Sequence, residues 1–215
     1  MTSIHFALDR SGSMYSCIND TIGGFNHFIH SQQNDNPNGN MSLNLFDHVF
    51  ENVYESKNIQ EVEKLNSKTY TPRGPTALLD AIGQTIKKAE VDEKPMIVIL
   101  TDGEENSSTH YTLAHVKDLI QMKESLGWSF VFLGANQDAI KIGGMMGIPE
   151  ESAMTFNQEN TREAFEGLSA AIGRQTSGQE EHVTFTGLER AASQGPVEPS
   201  SPMSSSEVFV GLQRC

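Results

Sequence analysis

Two periods of apolar residues alternate along this chain. Ile4, Phe6 and Leu8 fall at every second position, as in a strand, and Ile18, Ile22, Phe25 and Ile29 then recur at the spacing of one helix face. A turn cluster rich in Asn, Pro and Gly fills 34–40, and the runs 41–46 and 49–54 straddle Asp47-His48 closely enough to predict a hairpin. Helical spacing returns at Leu79, Ile82, Ile86 and Ala89. Pro95 then opens Met96–Leu100, the most uniformly apolar run, as expected of a central parallel strand buried on both faces. Leu113, Val116, Leu119 and Ile120 predict the next helix, and Phe130–Leu133 the next strand, with Trp128 as a core anchor at its start. A short helix over 138–147, a last strand over 153–156 and a helix over 161–173, with Phe165, Leu168 and Ile172 on one face, complete the pattern.

Strand and helix in alternation predict an α/β fold: a doubly wound, mostly parallel sheet with one antiparallel edge strand and helices on both faces. Ligands of such sheets sit outside the carboxyl ends of the strands. Periodicity fades at about Gly178, and 193–206 is rich in Ser and Pro, so the pattern divides the chain into a domain over 1–177 and a mostly flexible tail over 178–215. Within that tail Val208, Val210 and Leu212 are candidates for a docking segment.

Charge and composition narrow the function classes. The 215 residues carry a formal net charge of −13, which opposes binding to nucleic-acid phosphates or anionic lipid and favours cationic partners and divalent metals. Cys17 and Cys215 are the only cysteines, too few for a disulfide framework or a Cys-rich zinc site. The first residues show no basic, apolar and cleavage-site order of a signal peptide, and no apolar run reaches membrane-spanning length, so a cytoplasmic location is expected.

Three loops at the predicted carboxyl edge carry hard oxygen donors. Asp9-Arg-Ser11-Gly-Ser13 follows the first strand, Thr76 stands before a helix, and Asp102 follows the central strand in Thr101-Asp102-Gly103. A carboxylate with hydroxyls suits a cation such as Mg²⁺, which takes oxygen ligands in a near-octahedral shell at about 2.0–2.1 Å and keeps several waters. Asp and Ser also form Asx turns and helix caps without any metal, so the first loop alone is a weak signal. Thr71 competes with Thr76, which is preferred because it stands immediately before the helix.

Together the three loops resemble the von Willebrand factor A domain family and its metal-ion-dependent adhesion site, over roughly residues 3–175. The motifs that carry the likeness are Asp-x-Ser-x-Ser at 9–13, Thr76 before Ala-Leu-Leu-Asp-Ala-Ile, and the Asp of Thr-Asp-Gly at 102. The resemblance implies that Ser11, Ser13 and Thr76 contact a divalent cation, Mg²⁺ before Mn²⁺ or Ca²⁺, and that Asp9 and Asp102 reach it directly or through water. Neutral hydroxyls leave such an ion strongly Lewis acidic with a position open to a carboxylate of a partner protein. These ligands suit binding, and no recognisable nucleophile–base pair accompanies them, so a non-enzymatic interaction module is expected. The format resembles stand-alone relatives in bacteria and phages, some of which act with AAA ATPases.

Around these donors, Arg73, Arg10 and Glu104 are candidates for a rim that meets the partner, Arg73 by charge-assisted hydrogen bonds. Solvated surface charge is the competing reading for Arg10, Glu104 and Glu105. His27 and His30, like His110 and His115, have no Cys or carboxylate at zinc-site spacing. A metal-dependent hydrolase or phosphotransferase is the rival function, but it would want a carboxylate where Ser11 stands. The third reading is a structural or virion assembly component with a structural metal.

Overall fold

In the computed structural model, which describes residues 2–135 and 138–195, each strand and helix marked by the apolar periods is present. The order is β1 (Ser3–Asp9), α1 (Ile18–Asp35), β2 (Asn40–Phe46), β3 (Phe50–Asn58), α2 (Leu78–Ala89), β4 (Met96–Thr101), α3 (Leu113–Ser125), β5 (Ser129–Ala135), α4 (Ala139–Met145), β6 (Ala153–Phe156) and α5 (Thr161–Thr176). They form one six-stranded sheet in the order β3-β2-β1-β4-β5-β6. All neighbours are parallel except β2 and β3, the hairpin that the two runs around Asp47-His48 predict.

Helices cover both faces, and the central strands show why. All six residues of β4 are buried. Met96, Val98 and Leu100 join a core with Phe25 and Phe28 of α1 and Phe165 of α5, whereas Ile97 and Ile99 join one with Leu78, Ile82 and Ile86 of α2 and Val116 and Ile120 of α3. On the first face Phe6 meets Phe25, Phe28 and Phe165 at centroid distances of 5.5, 5.7 and 6.1 Å. Edge-to-face and offset contacts of this kind add about 0.5–1.5 kcal/mol per pair beyond burial. Gly24 permits the approach of α1 to α5, since a Cβ there would stand 2.3 Å from the Phe165 ring. Trp128 is buried just ahead of β5, with Lys123 Nζ 4.7 Å from its ring centroid.

The domain continues beyond the boundary expected at residue 177. Val183 and Phe185 are buried in the α1–α5 core, and a further helix, α6 (Gly187–Gln194), follows with Thr186 and Glu189 closing a capping box. Arg174 of α5 holds Glu189 through two bonds of 2.7 and 2.9 Å. Arg190 donates to the Ala153 carbonyl at 2.6 Å and Ser193 to that of Thr155 at 3.0 Å, so α6 closes the free edge of β6. Periodicity did not reveal this helix because it docks by polar groups: Ser193 is its one buried residue, and Leu188 is 84% exposed. Residues 196–215, with the candidate docking segment at Val208–Leu212, lie outside the described residues.

Candidate metal centre

β1 and β4 are adjacent and parallel, with Leu8 opposite Leu100, so their carboxyl ends deliver Asp9 and Asp102 to the same edge of the sheet. Asp9 is fully buried. Its Oδ1 accepts the Ser11 amide at 2.6 Å, its Oδ2 accepts the Thr101 hydroxyl at 2.5 Å, and its carbonyl accepts the buried Tyr70 hydroxyl at 2.5 Å. The chain then turns into a short 3₁₀ segment, Gly12–Cys17, which sets Ser11 Oγ 3.0 Å from Ser13 Oγ. Ser13 donates onward to Asp102 Oδ1 at 2.6 Å.

Thr76 enters from the loop before α2. It is buried, its amide donates to Asn106 Oδ1 at 2.9 Å, and its carbonyl accepts the Asn106 amide at 3.1 Å. Gly103 reports how near it lies: a Cβ there would be 2.6 Å from Thr76 Oγ1 and 3.4 Å from Ser13 Oγ. Thr71 is exposed and its hydroxyl reaches back to the Ser67 carbonyl, so the structure brings Thr76, not Thr71, to the site. Asp9, Ser11, Ser13, Thr76 and Asp102 therefore stand together.

The expected rim divides three ways. Arg10 is neither rim nor solvated surface: it is 5% exposed, its Nε donates to Asp47 Oδ2 at 3.0 Å, and its Nη2 pairs with Glu51 at 2.8 Å. Side chains alternate across a strand, so the residue after Asp9 turns to the other face and under the β2–β3 turn. Arg73 shares the same carboxylate, Nε to Asp47 Oδ2 at 2.8 Å, yet keeps half its side chain exposed. Glu104 is exposed. Glu105 is a loop organiser, accepting from the amides of Leu79, Ser107 and Ser108 at 2.8, 2.9 and 2.8 Å.

The donor set fits a cation. Burial pushes Asp9 up to about 6, against the opposing bonds from Thr101 and Ser11, and the Asp102 charge pushes the same way. Asp102 is raised too, chiefly by burial, with bonds from Ser13 and Gln158 opposing. Among the described residues no Lys, Arg or His pairs with either carboxylate, since the neighbouring Arg10 and Arg73 both serve Asp47. Two desolvated acids compensated only by neutral donors are what an outside cation would relieve. No three His, Cys, Asp or Glu side chains gather at one point among the described residues, so the donor set rests on hydroxyls. His27, His30, His110 and His115 are exposed and apart from it.

Three residues that hold the two acids were not among the candidates drawn from the sequence. Thr101 and Tyr70 hold Asp9 from a strand end and from a loop 61 residues away, and Gln158 donates to Asp102 Oδ2 at 2.6 Å across 56 residues. Only Thr101, adjacent to Asp102, could have been suspected from position.

No family profile and no curated protein matches this sequence. Solved structures do match. The vWF domain of the type V pili tip protein Mfa5 from Porphyromonas gingivalis aligns with a TM-score of 0.64 at 10% identity, over 83% of this chain and 96% of that one. The pilus adhesin SpaC from Lactobacillus rhamnosus GG gives 0.64 at 14% identity over 81% of this chain, which spans 30% of that protein. Manganese-loaded TRAP from Plasmodium vivax gives 0.56 at 18% identity, over 75% and 70% of the two chains. This chain has the von Willebrand factor A fold.

Proposed function

We propose that this protein is a non-enzymatic, divalent-metal-dependent interaction module whose partner supplies a carboxylate. The observation that carries this reading is the meeting of Asp9, Ser11, Ser13, Thr76 and Asp102 at one sheet edge with, among the described residues, no side-chain cation on either acid. Bound there, a Mg²⁺ or Mn²⁺ ion would supply Lewis acidity toward an outside oxygen. The chain's part is orientation: Thr101 and the Ser11 amide fix Asp9, and Ser13 turns its proton onto Asp102, leaving hydroxyl lone pairs for the ion. Neighbours that are pilus proteins, and one loaded with manganese, support an interaction role and a divalent ion. The rival hydrolase reading would want a carboxylate where Ser11 stands, and Ser11 instead offers a hydroxyl 3.0 Å from that of Ser13. An AAA ATPase or an assembly component remains the partner class to try first, in a cytoplasmic setting.

Calorimetric titration with Mg²⁺ and Mn²⁺ tests the first half. One saturable site is expected in the native chain and none in Asp9→Ala; no binding in the native chain refutes the proposal. For the second half, water relaxation enhanced by bound Mn²⁺ should fall on adding a Glu-containing peptide and be unmoved by its Gln counterpart. Equal responses to the two peptides would remove the carboxylate.

A further inference from the structure

Gln158 opens the 3₁₀ turn Gln158–Asn160 between β6 and α5, and its carboxamide bridges two loops of the site. Nε2 donates to Asp102 Oδ2 at 2.6 Å, and Oε1 faces Ser16 Oγ at 3.0 Å. Ser16 Oγ also lies 3.0 Å from the Ser13 carbonyl, and Ser13 Oγ donates to the other oxygen of Asp102. Ser13 and Gln158 thus hold the two oxygens of Asp102 from either side, and Ser16, with one proton to give, stands within reach of both the Gln158 carboxamide oxygen and the Ser13 carbonyl. Behind it the turn is tied down, with Thr161 Oγ1 donating to the Gln158 carbonyl at 2.6 Å and the Asn157 amide to the Ser193 carbonyl of α6 at 2.9 Å.

We infer that Gln158 is a positioning residue of the metal centre, holding the Asp102 carboxylate in the plane that lets Ser13 direct its lone pairs at the cation. The inference rests on the metal reading proposed above. A hydroxyl coordinates through a lone pair, so its proton must be taken elsewhere. Asp102 Oδ1 takes it, and the two side-chain bonds to Asp102 are those from Ser13 and Gln158. With Gln158 gone, the carboxylate is free to turn about its last bond and the Ser13 proton loses its fixed acceptor. A neutral carboxamide suits the task. It orients the acid without cancelling the charge that attracts the ion, as Lys or Arg would do. Outer partners of this kind commonly govern metal affinity as strongly as the ligands they orient.

The test uses the full chain, Mn²⁺ titration by calorimetry, and thermal melts without metal. Gln158→Ala, and Gln158→Met, which keeps the length and loses both polar groups, are expected to weaken Mn²⁺ binding about 10-fold or more. Both should leave the metal-free melting temperature close to native, a split that a merely structural role would not produce. Ser16→Ala should weaken binding less, and adding it to Gln158→Ala should cost nothing further, because Ser16 acts through the carboxamide. Hydrogen exchange at 157–161 should slow on adding Mn²⁺ to the native chain and not to Gln158→Ala. Native affinity in both Gln158 variants overturns the inference, as does a Ser16 effect that simply adds. Absence of binding in the native chain would strike the metal reading instead, before any variant is compared.

Discussion

Between Gly103 and the hydroxyl of Thr76 there is space for a hydrogen atom and not for a methyl group. Gly103→Ala should therefore push Thr76 Oγ1 away, at a stability cost of about 1–3 kcal/mol for the crowding. Calorimetry should show divalent-ion affinity falling far more than stability does; unchanged affinity would remove Thr76 from the ligand set. Asp47 offers a second test. It is fully buried beneath Arg10, and removing one partner of a buried pair costs about 3–5 kcal/mol. Asp47→Ala is predicted to lose that much in a denaturant melt, whereas Arg73→Ala, half exposed, should lose far less. Burial alone would raise the Asp47 carboxyl, but the Arg73 bond, the Val49 amide and the Arg10 charge hold it below its ordinary 3.8. A folded value below the unfolded one means the stabilisation is complete above 3.8 and is lost as pH falls through the folded value. The acid limb of the native melt should be shallower in Asp47→Asn; identical limbs would assign acid unfolding to other groups. The five oxygen donors could be read from the sequence because three separate loops carried them to one predicted sheet edge, where any one loop alone would serve equally as a turn or a cap. Arg10 could not, since its charge says nothing about the face to which it turns, and Gln158 is marked by no neighbour in the chain.

At the level of elements, every segment with a clear apolar period was legible, because each buries one face against a core and burial imposes the period. What escaped was α6, whose attachment is made by Arg174, Glu189, Arg190 and Ser193. Arg190→Ala would uncover the β6 carbonyl of Ala153 and is expected to cost about 1–3 kcal/mol, with the loss concentrated in hydrogen exchange of 183–194. Uniform loss across the molecule would contradict a local role. Glu189 gives the same element a pH dependence. Burial would raise it, yet the Arg174 bonds and the Thr186 cap hold it below 4.5, so docking of α6 is favoured above that value and weakens as pH falls through the folded one. Ending the chain at residue 177 removes Val183 and Phe185 from the core, a loss of about 1.5–3 kcal/mol for each buried side chain.

The whole molecule carries a charge of −13, and the site gathers two of its acids, desolvated, at one sheet edge. Monovalent salt should raise the melting temperature slightly and without saturation, by screening self-repulsion. Millimolar Mg²⁺ or Mn²⁺ should add a saturable increment on top, about 2.7 kcal/mol at a hundred times the dissociation constant. Ser11→Ala is expected to erase the saturable part and keep the screening part; a variant that retains both would detach metal from stability. No helix among the described residues is long and apolar enough to cross a membrane.

The closure of β6 by α6 also limits how copies of this domain could join. Backbone ladders grow only where a strand has unclaimed donors and acceptors, and one margin of the sheet has lost its carbonyls to Arg190 and Ser193. Among the described residues β3 is the other margin. A sheet with a single open margin can pair with its own kind once, margin to margin, and then has nothing left to offer, so strand-to-strand association ends at two copies instead of running on into a fibre.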